Sequence, residues 1–176
     1  SKAYSHVLEN DGMGQTYFRE MLDESKDFGD LFELVKRAVK TILGHERAGL
    51  MLYLGNLPLQ VGAFHQIGSN GIVMNKRLLN LLSKSSNSVT EVNSFIFSIL
   101  LHEYLHSLGY LDETEVRRLV YEVSRVAFGT DHPVTKMSLS GPFPKIPPSE
   151  LQPRNPEDLE LELIKDFERS NQSYIS

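Results

Sequence analysis

The sequence contains no cysteine among its 176 residues. That excludes a disulfide framework, a thiolate metal site and a cysteine nucleophile. No run of about 18 apolar residues occurs, so nothing is expected to span a membrane. The opening stretch, SKAYSHVLENDGMG, lacks a signal-peptide pattern. With the absence of cysteine, this makes the cytoplasm the expected location. Positive charge is not in excess: the net charge is −5, which argues against nucleic acid as the main partner. No internal repeat of 20–50 residues is visible.

What is present is an ordinary globular balance, 40% hydrophobic and 23% charged, which suffices for a sizeable core. The charge is unevenly spread. Residues 1–33 carry 3 basic and 8 acidic side chains, residues 34–148 carry 12 and 8, and residues 149–176 carry 3 and 7. Solvated acidic termini would explain this, and so would an acidic end docked on the basic middle. The chain divides on these grounds into an acidic N-terminal extension (1–29), a central domain (30–140) and a proline-rich segment with an acidic C-terminal helix (141–176). Six of the eight prolines fall between Gly141 and Pro156, the mark of a linker or an extended surface segment.

In the central domain, DLFELVKRAVKTILG has apolar residues at helical spacing from Leu31 to Ile42, with Asp30 as N-cap and Gly44 as stop. An earlier helix, GQTYFREMLDES, is also expected. AGLMLYLG reads as a buried strand, and QVGAFHQI and GIVMNKRLL flank a turn at GSN. A short helix, KRLLNLLSK, follows. Ser88-Val-Thr-Glu91 fits a capping box that opens the long helix VTEVNSFIFSILLHEYLHSLG, which Gly109 ends. Asp112-x-x-Glu115 is a second capping box, opening another helix with an apolar stripe through Val116, Leu119, Val120 and Val123.

The chemistry lies in His102-Glu103-Tyr104-Leu105-His106, an H-E-x-x-H on the long helix. A spacing of four puts both imidazoles on one face, one turn apart, where both can reach one ion at about 2.0–2.1 Å. Glu103 points about 100° away, so it does not ligate but can reach a water on the metal. Zinc lowers the pKa of such a water to about 7, and the carboxylate can take its proton and pass it on. The histidines continue the row Val92, Phe95, Ile99 at steps of three and four.

From these residues the chain resembles the zincin metallopeptidases, strongly over Ser88 to Glu122 and in element order alone from Asp30 to Asn75. The resemblance implies an α+β fold, with a small mixed sheet, a backing helix and a central H-E-x-x-H helix. One edge strand, GIVMN or GAFHQI, would bind a peptide or protein substrate as an added strand. It also implies a bound Zn²⁺ and hydrolysis of peptide bonds, with Glu103 as general base.

The third ligand has two readings. His102 to Asp112 reads H-E-x-x-H-x-x-G-x-x-D, similar to the metzincins, with Gly109 turning Asp112 back to the metal and Met137 of TKMS as a methionine-turn residue. The other match is to minimal gluzincins, in which a glutamate on the following helix ligates. Glu113 sits on the inward face there, and the capping box gives Asp112 and Glu115 a structural task, so Glu113 is preferred. Glu115 and Glu122 are lesser alternatives. His132 is the candidate for transition-state help, set against a plain loop histidine. Tyr104 and Tyr110 read as packing residues. His6, His45 and His65 have no partner pattern, although His65 lies on a strand that could line the cleft.

Three functional expectations follow. The chain is an active zinc peptidase, or a latent one whose proline-rich segment or acidic C-terminal helix fills its own cleft. Alternatively it is a non-catalytic binding module with a structural metal.

Overall fold

The structure, a computed structural model, describes residues 12–58, 61–66, 68–85, 88–140 and 161–168. Among these residues the fold is mixed α+β, with six helices and one four-stranded mixed sheet. No helix of the described residues is long and apolar enough to cross a membrane.

Helix α1 (Gly12–Glu24) buries Phe18 and Leu22 in the main core. The N-terminal extension expected over residues 1–29 therefore includes a helix of the packed body. Helix α2 (Phe28–Leu43) starts earlier than its apolar stripe suggests. Asp27, not Asp30, is its N-cap, accepting the Asp30 N–H at 2.8 Å, while Asp30 reaches back to the Lys26 N–H. The helix ends as expected at Gly44, whose φ of 76° is left-handed.

Strands β1 (Met51–Gly55), β2 (Ala63–His65) and β3 (Gly71–Asn75) follow. β1 pairs with β3 in parallel, and β2 pairs with β3 antiparallel through the expected hairpin. Helices α3 (Lys76–Ser85), α4 (Val89–Ser107), α5 (Glu113–Phe128) and α6 (Pro133–Ser140) complete the middle of the chain. Strand β4 (Glu162–Ile164) pairs antiparallel with β1, so the sheet order is β2-β3-β1-β4. β2 is thus the edge strand on one side. GIVMN, the other edge candidate, is β3 and lies inside the sheet.

Two expectations are corrected. The acidic C-terminal helix is not formed over residues 161–168, which instead supply β4 and then bury Phe167 against Phe32, with ring centroids 4.3 Å apart. Leu161 and Leu163 alternate with Glu160 and Glu162, which suits an edge strand as well as a short helix, and β1's open edge decides between them. TKMS is not a methionine turn: Met137 lies within α6.

Alternation sorts the strand side chains. Leu52, Leu54, Ile72 and Met74 face the main core, while Tyr53, Phe64 and Val73 join Leu57 and Val61 on the opposite face. α4 runs through the middle of the helical layer and packs against α1, α2, α5, α6 and β2. That is why it is apolar nearly all round: Phe97, Leu100, Leu101, Tyr104 and Leu105 are all fully buried.

Candidate metal centre

The last two turns of α4 and the first turn of α5 meet at His102, His106 and Glu113. Ser88 caps α4 as its sequence predicts, accepting the Glu91 N–H at 3.0 Å. After Ser107 the chain tightens, and Gly109, at a φ of 105°, reverses it. Asp112 then caps α5, accepting the Thr114 N–H at 3.1 Å. Glu113 is the first residue of that helix and turns back over the histidines.

The three side chains converge. His102 Nε2 lies 2.5 Å from Glu113 Oε1, and His106 Nε2 lies 2.9 Å from Glu113 Oε2. One ligand atom from each residue falls within 4.8 Å of the other two, and this is the one such group of three among the described residues. Behind the rings stand two more acceptors. His102 Nδ1 donates to Glu103 Oε1 at 3.0 Å, and His106 Nδ1 donates to the Tyr110 carbonyl at 2.8 Å.

The proton count is the informative quantity. All four imidazole nitrogens face acceptors, yet a neutral imidazole carries one N–H. With both Nδ1–H bonds made, each Nε2 presents a lone pair to the Glu113 carboxylate unless it gains a proton. The arrangement calls for two more positive charges: two protons, or one divalent cation at the position where both Nε2 atoms and the carboxylate point.

The metal-free electrostatics agree. Burial alone would lower His102, but hydrogen bonds to Glu103 and then Glu113 outweigh it and raise its pKa to about 9. His106 is raised in the same way, burial opposing and Glu113 prevailing. The histidine hydrogen bonds, His102 first, push Glu113 well below the usual carboxylate range, against burial.

The donors fit an ion. A tetrahedral ion with ligands at about 2.0–2.1 Å sets neighbouring donors roughly 3.3 Å apart. Glu113 would draw back by less than about 1 Å to admit it, and its side chain, 40% exposed, has room on the solvent side. Both Nδ1 bonds fix each ring with its Nε2 turned toward Glu113, the arrangement that histidine metal sites use as a second layer.

The remaining sequence candidates separate clearly. Asp112 is exposed and spent on capping, so the cluster takes Glu113 and not Asp112. Glu115 is exposed, and Glu122 pairs with Arg125 at 3.1 Å. Tyr104 is a packing residue, fully buried edge-on to Phe32, with its hydroxyl accepting the Arg47 N–H. Tyr110 contributes its backbone carbonyl, which no side-chain pattern reveals.

His132, the candidate for transition-state help, has a structural task. It is the N-cap of α6, with its Nδ1 accepting the Val134 N–H at 3.1 Å and Pro133 at the first helical position. Its ring packs on Phe128, and burial, then the charge of Arg19, lowers its pKa to about 4. None of these neighbours is a member of the cluster.

Glu103 differs from the sequence expectation in one respect. It is buried, and one of its oxygens is already engaged with His102. Arg117, with Nε 3.8 Å from Glu113 Oε1, was not singled out in the sequence, although its spacing of four from Glu113 was a usable signal.

No family model, curated protein or solved structure matches the chain.

Proposed function

We propose that the protein is a zinc-dependent metallopeptidase of zincin-like architecture. The observation that carries this is the pair of imidazoles whose four nitrogens all face acceptors around one carboxylate. Two histidines and a glutamate form a common zinc set, and three protein ligands leave a fourth position for water. A bound zinc ion supplies Lewis acidity and makes a water acidic near neutral pH.

The chain's own residues do the rest. His102, His106 and Glu113 hold the ion. Glu103 keeps His102 in its ligating tautomer through one oxygen; as the general base its carboxylate would turn from the Nδ1 side toward the cluster, take the proton of the attacking water and return it to the leaving amine. β2, antiparallel to β3 and packed against α4, offers its outer edge to an extended peptide, which binds by backbone hydrogen bonds.

A second reading has its own support. Glu103 is buried and bonded to a ligand, as expected of a purely structural metal site in a binding module. Glu103→Gln separates the two, because the amide oxygen still accepts from His102 Nδ1 while the base is lost. If the protein is a peptidase, native chain and variant both hold about one zinc, and only the native chain cleaves a broad peptide library. Equal cleavage by the variant would remove Glu103 from catalysis, and no cleavage by either would favour the binding module.

A latent form of the peptidase would have part of the chain beyond residue 140 in its own cleft. β4 lies at the sheet edge opposite β2, so residues 162–164 do not cover that strand, and the proline-rich segment lies outside the described residues. If that segment fills the cleft, replacing 141–156 with a glycine–serine linker releases activity.

A further inference from the structure

Arg47, on the loop between α2 and β1, touches both the metal-binding helix and the substrate-side hairpin. Its backbone N–H donates to the Tyr104 hydroxyl at 2.9 Å, and its Nη1 donates to the Ser107 carbonyl at 2.7 Å. Tyr104 lies inside the H-E-x-x-H, and Ser107 follows the ligand His106. The other arm of the guanidinium, Nη2, reaches the Ser69 carbonyl in the turn between β2 and β3, at a long 3.4 Å. His65 of β2 donates from its Nε2 to that same carbonyl at 2.9 Å. A bridge thus runs from the last turn of α4, through the guanidinium, to the strand whose outer edge would carry the substrate.

We propose that Arg47 is a positioning residue, which fixes the β2 edge relative to the metal-binding end of α4. This rests on the peptidase reading. The residue type suits the task. A guanidinium presents several N–H donors in one rigid planar fork and stays charged at every working pH. A cation is also favourable at the C-terminal end of a helix. There the carbonyls of Tyr104, Leu105 and His106 are met by the amides of Leu108, Gly109 and Tyr110, while that of Ser107 is met by Arg47.

The consequence concerns rate more than binding. In the proposed reaction α4 places the ion and β2 places the peptide. A misplacement of about 1 Å between them can cost about a hundredfold in rate. The backbone hydrogen bonds that hold the peptide belong to β2 itself, so its affinity would change little.

The test is steady-state cleavage of a fluorogenic peptide, selected from those the native chain cleaves, with zinc content measured alongside. Arg47→Lys keeps the charge but replaces the fork with one ammonium. It is expected to hold its zinc and keep KM within about twofold, while kcat falls about ten- to a hundredfold. Arg47→Gln should lose at least as much. A native kcat in Arg47→Lys would reduce the residue to a charge at the end of α4 and overturn the proposal. Zinc loss, or a KM that rises in step with the fall in kcat, would also overturn it, as a mark of general loosening. Hydrogen exchange tests the bridge without activity: the hairpin 63–75 should exchange faster in Arg47→Lys, with α1 at its native rate. Equal exchange of the hairpin would contradict the bridge. If the native chain cleaves nothing, the peptidase reading fails first, and the positioning role falls with it.

Discussion

At the residue scale, the centre turns on which protons a metal replaces. In the metal-free chain His102 has its pKa raised to about 9, because its bonds to Glu103 and Glu113 outweigh burial. It is therefore protonated at pH 7, and ligation must expel that proton. His106 is shifted the same way. Zinc binding at pH 7 should release between one and two protons per chain. Calorimetry in buffers of different ionisation enthalpy measures this, and release near zero would mean the rings are already neutral. The third ligand is tested by substitution. Glu113→Ala should abolish stoichiometric zinc. Asp112→Ala should keep the zinc and lose a cap worth about 1 kcal/mol in denaturant unfolding. H-E-x-x-H was legible in the sequence because its spacing is fixed by one helix. The choice between Asp112 and Glu113 was less so, since it depends on how the chain turns at Gly109. The capping pattern already pointed to the answer.

At the element scale, α4 and α5 were readable because apolar spacing and capping residues agreed. α6 was missed because its signals are short: an N-cap histidine followed by a proline. That cap carries a pH effect. The His132 pKa is about 4 in the fold, against an ordinary value near 6.5. The unfolded chain thus takes up a proton that the folded chain refuses across that interval. Stability should fall as pH drops from 6.5 to about 4, by roughly 3 kcal/mol from this group. His132→Asn preserves a capping acceptor, so it should flatten the dependence without removing the helix. Urea midpoints from pH 4 to 7 decide this, and an unflattened slope in the variant would assign the effect elsewhere. The join between α5 and α6 has a second constraint. Gly129 has a φ of 93°, and a Cβ there would come within 2.6 Å of Arg19 Nη2, the arginine whose Nε caps the Phe128 carbonyl. Gly129→Ala should cost about 1–3 kcal/mol.

At the scale of the whole molecule, the uneven charge acquires a structural meaning. The acidic C-terminal stretch docks on basic residues of the middle, with Glu168 on Lys36 and Glu162 on Lys76. Between these pairs Phe167 enters the core beside Phe32, which in turn meets Tyr104 of α4. Phe167→Ala should therefore cost about 3–5 kcal/mol, far more than loss of a surface tail, and denaturant unfolding measures it. Charge and composition flagged this docking but not its form. Strand pairing depends on an open partner edge that lies more than 100 residues away, and no local pattern reports it. The sheet order was beyond the sequence for the same reason.

The central claim is that His102, His106 and Glu113 together hold one ion. Its most direct test is metal content by mass spectrometry after zinc reloading and removal of excess, on the native chain, Asp112→Ala and Glu113→Ala. The account predicts about one zinc per chain in the first two and none in the third. No zinc in the native chain, or full zinc in Glu113→Ala, would contradict it.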